Sequence, residues 1–508
     1  MKNLFSGGKN DKYFRTDHLK DDLKRRSVRG GAVTIFAQAF KFGLNLTSGV
    51  VLARLLTPQD YGLIGMVTAV TGLVSLFKDL GLSMATVQKA EITHEQVTNL
   101  FWVNVALGVI TAVITVAIAP LIAGFYNEPR LIWITLALGI GFVIGSLGVQ
   151  HSALLNRQMQ FKMLVINDVL SMFIGVVAAI VAAWYGLGYW ALVIMPLVTG
   201  IISTVGFWIV CDWRPGLPTR KSGSRSMLAF GSNMTASSIM NYFARNLDNV
   251  LIGRVWGAQQ LGFYAKAYQL LLLPLNQINA PIAAVAVPSL SRLADSPERY
   301  RQTYLRILEK ISILTMPLIV FMIGASDWLV WLLLGSQWSE ASRIFAILGI
   351  AALVQPVSNT TGWIFITQNR TTHMVQWAAV GSTLSVIAII AGLPWGATGV
   401  AASYSISGLL IRTPILFWFV GRAGSVSAID IYRTMAPSTL ASLSALLVIA
   451  TVRYYIEIPN PLIGLIVAFS ITAGITLLIL VILPTGRRSL EDFKNLLPFI
   501  TKRKKNNL

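Results

Sequence analysis

Long apolar runs constrain this chain more than any other feature of its sequence. Runs longer than about 18 residues, enough to cross a bilayer as a helix, recur from residue 31 to residue 483. Only 12% of the 508 residues are charged, about half the share found in soluble domains. Outer-membrane barrels show short alternating segments, which this sequence lacks. The chain is therefore predicted to be an all-α polytopic membrane protein.

We predict about fourteen transmembrane helices. They span 31–56, 62–88, 97–123, 129–155, 163–185, 187–210, 227–254, 260–288, 303–333, 340–367, 371–392, 397–420, 431–453 and 461–483. A polar stretch separates the sixth helix from the seventh. The predicted organisation is a basic tail (1–30), a first lobe (31–211), a linker (212–226), a second lobe (227–420), two further helices (421–483) and a second basic tail (484–508).

The basic residues predict the orientation of the chain. Residues 1–30 hold nine Lys/Arg against four Asp/Glu, and residues 484–508 hold seven against two. Loops predicted on the same side carry Arg157, Lys162 and Arg370, whereas the outer loops 185–188 and 392–397 hold no Lys or Arg. Basic residues favour the cytoplasmic side and contact anionic headgroups. We expect a multi-pass protein of a bacterial inner membrane with both termini cytoplasmic, lipids as neighbours and no nucleic-acid partner.

The two lobes are predicted from an internal repeat. After a shift of 200 residues, Val50–Arg54 aligns with Val250–Arg254, Gln59 with Gln259, and Gly62 with Gly262. The coincidence of Arg, Gln and Gly is harder to attribute to chance than that of apolar residues. Repeats of this kind build transporters with a substrate site between two pseudo-symmetric lobes.

A polar stripe on the first helix points to a hydrated cavity. Its members follow one another at helical spacing on one face: Thr34, Gln38, Lys41, Asn45 and Ser48. Lys41 lies about 16 Å inside the predicted helix start, where a lipid-facing ammonium costs roughly 2.5–3.5 kcal/mol. Lys41 is therefore expected to face water or a partner, and because its own helix offers no acidic residue, it is predicted to be the deepest unpaired cation.

Helices 2, 7, 8 and 12 add further polar residues. The residues predicted to bind substrate are Lys41, Lys266, Arg245, Lys78, Gln38, Asn45, Asn241, Arg412 and Arg54, and the candidates for ion coupling are Asp79, Asp168 and Asp248. Structural roles remain open for several of them. Arg245 and Asp248 could neutralise each other, Lys78 could reach the headgroups, and Arg54 could be an interfacial anchor. A net-cationic cavity predicts an anionic ligand, because phosphate and carboxylate pair well with Lys and Arg.

No catalytic constellation is evident in the sequence. The four His residues lack metal-ligand spacing, and no phosphate-binding loop has its strand-to-helix context. The single cysteine, Cys211, excludes an intramolecular disulfide. We expect a protein that is not an enzyme and that needs neither a metal nor a cofactor.

Four segments resemble the Wzx-like polysaccharide transport (flippase) family of the multidrug/oligosaccharidyl-lipid/polysaccharide exporter superfamily. They are Leu52–Gly62, Gly186–Val193, Val287–Leu293 and Gly396–Ala401. The resemblance implies a V-shaped pair of six-helix lobes plus two extra C-terminal helices. It implies as substrate an undecaprenyl-pyrophosphate-linked oligosaccharide repeat unit, moved from the cytoplasmic to the periplasmic leaflet by alternating access. Polymerase and chain-length proteins of the same pathway could be further partners.

Three competing functions remain open. A multidrug exporter of the same superfamily would be expected to bind cationic drugs through acidic residues, whereas Lys and Arg predominate here. A flippase for a peptidoglycan precursor fits a cationic cavity as well. A membrane glycan polymerase or ligase would be expected to carry a long periplasmic loop, and the longest outer stretch, near 326–342, offers few reactive side chains.

Overall fold

A computed structural model describes the backbone of residues 13–14, 23–75, 82–89, 91–219, 225–422, 424–483 and 486–487. Side chains are described for most of these residues, but not for 23–35, 225–241 and 243–245. All regular structure in these ranges is helical, as predicted. The predicted tails at 1–30 and 484–508 lie almost wholly outside the described residues.

The described residues of the first part of the chain form nine α-helices. They are α1 (Leu23–Leu55), α2 (Pro58–Ser75), α3 (Leu82–Gln88), α4 (His94–Tyr126), α5 (Arg130–Ser146), α6 (Val149–Arg157), α7 (Phe161–Trp184), α8 (Trp190–Val210) and α9 (Arg225–Ser291). The remainder forms α10 (Pro297–Gly324), α11 (Ser326–Leu334), α12 (Ser339–Thr367), α13 (Thr371–Gly392), α14 (Gly396–Ser407), α15 (Thr413–Gly421), α16 (Ala428–Tyr455) and α17 (Pro461–Ile482).

Within the described residues, ten helical stretches are long and apolar enough to cross a membrane. Two of them, Asn246–Ser291 and Thr371–Gly421, contain 46 and 51 residues, about twice the length that one span needs. The prediction of many membrane-spanning helices is confirmed. The count of fourteen stays a prediction.

Several predicted helices are interrupted. The run predicted at 129–155 breaks between α5 and α6 at Leu147–Gly148, and the run at 303–333 breaks at Ala325. Predicted helices 7 and 8 are continuous in α9 except at Gly257, whose φ of 79° interrupts the helical backbone. A conformation of this kind favours glycine. The helix predicted at 397–420 carries a π-helical turn, Gly408–Arg412, between α14 and α15.

The chain divides into two compact units, Met1–Gly262 and Phe263–Leu508. In the first unit α7 packs against α8 and α1, and α4 packs against α5. In the second unit α10 packs against α12 and α16, and α17 packs on α16. The lobe boundaries predicted from the repeat stay a prediction.

The two repeated segments meet within the first unit, and their contact is reciprocal. A side chain at Gly62 would overlap the backbone carbonyl of Ala258, and a side chain at Gly262 would overlap the backbone carbonyl of Pro58. Under the 200-residue shift Pro58 corresponds to Ala258 and Gly62 to Gly262. Small residues four apart let helix backbones approach this closely in membranes. The aligned glycines are therefore packing residues.

Basic residues collect at one end of the helices of the second unit. At this end Arg301 donates to both carboxylate oxygens of Asp430, at 2.9 and 2.6 Å, and Arg370 donates to the carbonyl of Val420. The opposite end carries Asp327 at the start of α11 and Arg453 near the end of α16. In the predicted orientation, which stays a prediction, the Arg301 end is cytoplasmic.

Arg157, predicted as one of the cytoplasmic basic residues, is buried in the first unit. Its guanidinium donates to backbone carbonyls of Thr86, Val87 and Lys89, and to that of Phe14 at 3.2 Å. The Arg157 side chain thus links three segments of the chain. Its positive charge also belongs to the basic residues predicted on the cytoplasmic side.

Candidate functional site

The polar stripe of α1 carries the first element of the site, Lys41. This residue lies fourteen positions before Leu55 and eighteen after Leu23, or about 21 and 27 Å from the two helix ends at 1.5 Å per residue. Lys41 therefore lies deep within α1. Gln38, one turn earlier on the same stripe, is exposed.

Lys41 has an acidic partner on another helix. Its Nζ donates to Oδ2 of Asp168 at 2.7 Å. The prediction of an unpaired Lys41 is therefore wrong. The acidic partner is absent from α1 itself and comes from α7, which packs along α1.

The Lys41–Asp168 pair is accessible from one side. About 25% of the Lys41 side chain and 43% of the Asp168 side chain remain exposed. A lipid-facing charge at this depth would be costly, so the accessible side is expected to face a polar space. An incoming anion or cation can then compete for either member of the pair.

A cavity of about 530 Å³ adjoins this pair on the Asn45 side. Asn45 lies one helical turn beyond Lys41, and Met172 one turn beyond Asp168. The lining comes from α1, α5, α7, α8, and the start of α6 with the glycine before it: Asn45, Gly145, Gly148, Val149, Ser152, Met172, Val176, Met195, Pro196, Thr199, Gly200, Ser203, Thr204 and Phe207. A mostly apolar cavity with a few polar groups is typical of small-molecule sites.

Two of the hydroxyl groups that line the cavity are arranged as acceptors. Ser152 donates its proton to the carbonyl of Val149 at 2.9 Å, and Thr204 donates to the carbonyl of Ile144 at 3.0 Å. A hydroxyl whose proton is committed to a carbonyl still offers lone pairs. These oxygens suit a ligand that donates hydrogen bonds, such as a sugar hydroxyl or a hydrated cation.

Close packing of α7 on α8 positions the cavity wall. A side chain at Gly206 would overlap the Asn167 amide, and one at Gly175 would overlap the Thr199 hydroxyl. The Asn167 amide donates to the carbonyl of Ser203 at 3.0 Å. This wall was not predicted from the sequence, although Thr199 and Ser203 are spaced four apart on a predicted helix.

Arg412 of the second unit lies in the π-helical turn. It donates to the Ser385 hydroxyl at 2.7 Å and to the Tyr404 carbonyl at 2.8 Å, and its guanidinium lies 4.0 Å from the centroid of the Tyr404 ring. Its buried Nε has no hydrogen-bond partner within the described part of the chain. Short π-helical turns are frequent at functional sites, which makes Arg412 a reasonable binding candidate.

The other predicted site residues are distributed as follows. Lys266, in the second unit, is buried. Asp248 is buried in the first unit, and its carboxylate accepts from the backbone N–H of Asn249 at 2.8 Å. Arg54 is exposed in the last turn of α1.

The side chains of four predicted site residues are not described by the structure. Lys78 and Asp79 lie outside the described residues, and the side chains of Asn241 and Arg245 are not described. Of the predicted set, the structure brings together Lys41, Asp168 and Asn45.

Comparisons with known proteins identify the family. Residues 51–343 match the family described as "Polysaccharide biosynthesis protein". The chain is 26% identical over 401 residues to the lipopolysaccharide biosynthesis protein WzxC of Escherichia coli (strain K12), covering 78% of this chain and 81% of that one. It is 26% identical over 364 residues to the teichuronic acid biosynthesis protein TuaB of Bacillus subtilis (strain 168), covering 71% of this chain and 74% of that one.

A solved structure has the same fold. The inward closed conformation of the lipid II flippase MurJ superposes with a TM-score of 0.68 at 15% sequence identity, covering 89% of this chain and 98% of that chain. At this identity the likeness concerns the fold alone. Together with the family match over more than half of the chain, these findings show that the protein belongs to the polysaccharide biosynthesis family, among the Wzx-like polysaccharide transport proteins predicted from its sequence.

Proposed function

We propose that this protein is a flippase for undecaprenyl-pyrophosphate-linked oligosaccharide repeat units. It would move them from the cytoplasmic to the periplasmic leaflet for the synthesis of an exopolysaccharide, a capsule or O antigen. The observation that carries the proposal is the accessible ion pair between Lys41, deep within α1, and Asp168 of α7, beside a mostly apolar cavity with a few polar groups. Family membership and the names of the relatives, which concern lipopolysaccharide and teichuronic acid, support the glycan as cargo.

The pairing of Lys41 with Asp168 suggests how an anionic headgroup is bound. A pyrophosphate that approaches Lys41 must compete with the Asp168 carboxylate for the ammonium. A carboxylate left without a partner at this depth is destabilised. Substrate binding at Lys41 therefore favours a proton or another cation at Asp168.

This competition couples the substrate to an ion. A proton or cation on Asp168 releases Lys41 for the pyrophosphate, and departure of the pyrophosphate restores the ion pair. Linkage of this kind is reciprocal, so the substrate raises the affinity of Asp168 for the ion by the same factor. Asp168 is thus our preferred ion-coupling residue among the three predicted from the sequence.

The route of transport is part of the proposal. We infer alternating access by the predicted lobes 31–211 and 227–420, with Arg245, Asn241, Lys266 and Arg412 contributing further polar contacts. The protein would lie in a bacterial inner membrane with both termini cytoplasmic. Polymerase and chain-length proteins of the pathway would receive the flipped units.

A deletion strain tests the function. Its lipid-linked glycans are extracted, and a non-permeant glycosidase is added to intact spheroplasts to report which leaflet holds them. We expect single repeat units that stay protected, because they are trapped on the cytoplasmic side. Units that accumulate and are digested would show that flipping continues, and would favour a polymerase or ligase.

Two further assays distinguish the proposed flippase from a multidrug exporter and from a flippase for a peptidoglycan precursor. Unchanged repeat-unit glycans combined with increased sensitivity to cationic drugs would indicate the exporter. Unchanged repeat-unit glycans combined with accumulation of a peptidoglycan precursor would indicate a flippase for that precursor.

A further inference from the structure

A second cavity, of about 380 Å³, lies at the Asp327 end of the second unit. It is formed by α11, by the start of α12 and by the connection between α16 and α17. Its lining includes Asp327, Trp328, Trp331, Ser336, Ser342 and Pro461. The volume falls at the lower end of the range for small-ligand pockets, about 300–1,000 Å³.

Two tryptophans on one face of α11 form its aromatic side. Trp328 is buried, with the Arg453 guanidinium 4.4 Å from its ring centroid and the backbone of Gly464 packed against it. Trp331, one turn later, is 51% exposed. The first ring is thus fixed in place, and the second offers a free aromatic surface.

The polar side of the cavity is held by an ion pair. Arg453 donates to the two carboxylate oxygens of Asp327 at 2.8 and 2.6 Å, and to the carbonyl of Gly324 at 2.6 Å. The Asp327 side chain nevertheless remains 45% exposed. An ionised carboxylate has about four acceptor sites, so Asp327 can accept further hydrogen bonds in a fixed orientation.

Serines and prolines complete the lining. Ser342 donates to the carbonyl of Ser339 at 2.6 Å, which leaves its oxygen lone pairs available. Gly335, with a φ of 102°, makes the turn that brings Ser336 to the cavity. Pro459 and Pro461 restrict the backbone of the opposite wall.

This combination selects for a particular ligand chemistry. Among the ten lining residues in the described part of the chain, none is a cation, and the neighbouring Arg453 is already engaged by Asp327. An anionic group is therefore disfavoured. A purely apolar ligand would leave the Asp327 carboxylate desolvated without a new hydrogen bond. A sugar ring fits both sides, because its C–H face packs on an aromatic ring while its hydroxyls donate to a carboxylate and to serine oxygens.

We propose that this cavity is a sugar-binding site, in which Trp331 packs against one ring of the glycan and Asp327 accepts hydrogen bonds from its hydroxyls. The inference rests on the proposed function, since it deepens the identity of the cargo. In the proposed orientation the site opens on the periplasmic side. The site would hold the glycan after the pyrophosphate headgroup has crossed the membrane. It would thereby disfavour the return of the lipid-linked glycan to the cytoplasmic leaflet.

The test measures sugar binding directly on the full-length protein purified in detergent. Saturation-transfer difference NMR is recorded with D-glucose, D-galactose, D-glucuronate and N-acetyl-D-glucosamine as separate probes. We expect saturable transfer to at least one of the three neutral sugars, and the weakest transfer to D-glucuronate, whose carboxylate is disfavoured beside Asp327. Trp331→Ala should weaken that binding about tenfold, the scale of one well-packed aromatic contact, and Trp331→Phe should retain most of it.

Trp395→Ala is the matched control. Trp395 is also an exposed tryptophan, at 73%, and it follows the end of α13 but does not line the cavity. Tryptophans at such positions commonly anchor a protein at the membrane interface. If both alanine variants weaken binding equally, Trp331 is an interfacial anchor and the assignment is wrong. Absence of transfer from the wild-type protein to all three neutral sugars would also overturn it.

The two proposals fail in different ways. Sugar binding that depends on Trp331, together with glycans that are still flipped in the deletion strain, would retain the sugar site and remove the flippase function. Glycans that are trapped in the deletion strain, together with no sugar binding by the purified protein, would retain the flippase function and remove the sugar site. Thermal unfolding of each purified variant verifies that it folds.

Discussion

Replacement of Lys41 by alanine leaves the partly exposed Asp168 carboxylate without its ammonium partner. At 2.7 Å two unit charges attract by about 6 kcal/mol at an effective dielectric constant of 20. The desolvation of both groups offsets much of this attraction, and their partial exposure offsets more. We expect a net coupling of about 1–3 kcal/mol, which is about 5- to 150-fold in an equilibrium constant.

A double-mutant cycle measures this coupling. Lys41→Ala, Asp168→Asn and the double variant are compared for thermal stability and for polysaccharide output in the deletion strain. Lys41→Ala should sharply reduce output while expression is retained, because the cation that binds the pyrophosphate is gone. Asp168→Asn should also reduce output, since the ion-coupling carboxylate is lost although Lys41 is free. The double variant should regain stability without regaining output.

Lys162→Ala provides the control for this cycle. Lys162 is an exposed lysine in the first turn of α7, and its removal should leave output unchanged. Normal polysaccharide output from Lys41→Ala would refute the assignment of Lys41 to substrate binding. If the double variant restored output, the pair would be purely structural.

Three further predictions concern packing, hydration and pH. Gly62→Leu should abolish folding or output, because the leucine side chain would overlap the Ala258 carbonyl. Gly124→Leu, which has open space around it, is the control and should be tolerated. Equal expression and output of the two variants would contradict the close contact at Gly62. Asn45→Cys should react with a water-soluble thiol reagent, because this residue lines the first cavity, while the native Cys211 is buried and should stay unlabelled. The hydrogen bond from Arg130 lowers the pKa of Glu128; this stabilisation is present above the usual glutamate pKa of about 4.3 and is lost as pH falls below it. Thermal unfolding of the wild type and of Glu128→Gln should therefore converge in acid.

The helices follow from the sequence because lipid leaves a long apolar run few other conformations. The run at 371–392 becomes α13 with the same bounds, and the run at 461–483 is matched within one residue. The breaks are harder to predict. Leu147–Gly148 and Ala325 lie inside apolar runs, and only the packing of neighbouring helices shows why the chain turns there.

The site could be predicted only in part. The stripe on α1 correctly singled out Lys41 and Asn45 as polar groups on one face. The pairing of Lys41 with Asp168 could not be read from either helix alone, because the two residues are 127 positions apart. Ser203 and Thr204 lie within a span of high mean hydropathy, so nothing in the sequence indicated that they line a cavity. Only the contact between α7 and α8 places them in the cavity wall.

The reciprocal contact of Pro58 and Gly62 with Ala258 and Gly262 has the form of an isologous dimer interface, in which one surface patch meets its own copy around a two-fold axis. Here both copies of the patch belong to a single polypeptide. A gene duplication that fused two such protomers would retain the contact and free its halves to diverge. Proline and alanine differ at one pair of equivalent positions, whereas glycine occupies both members of the other pair, where each must admit the other segment's backbone. The ancestral protein would then have needed two chains to build what this protein builds with one.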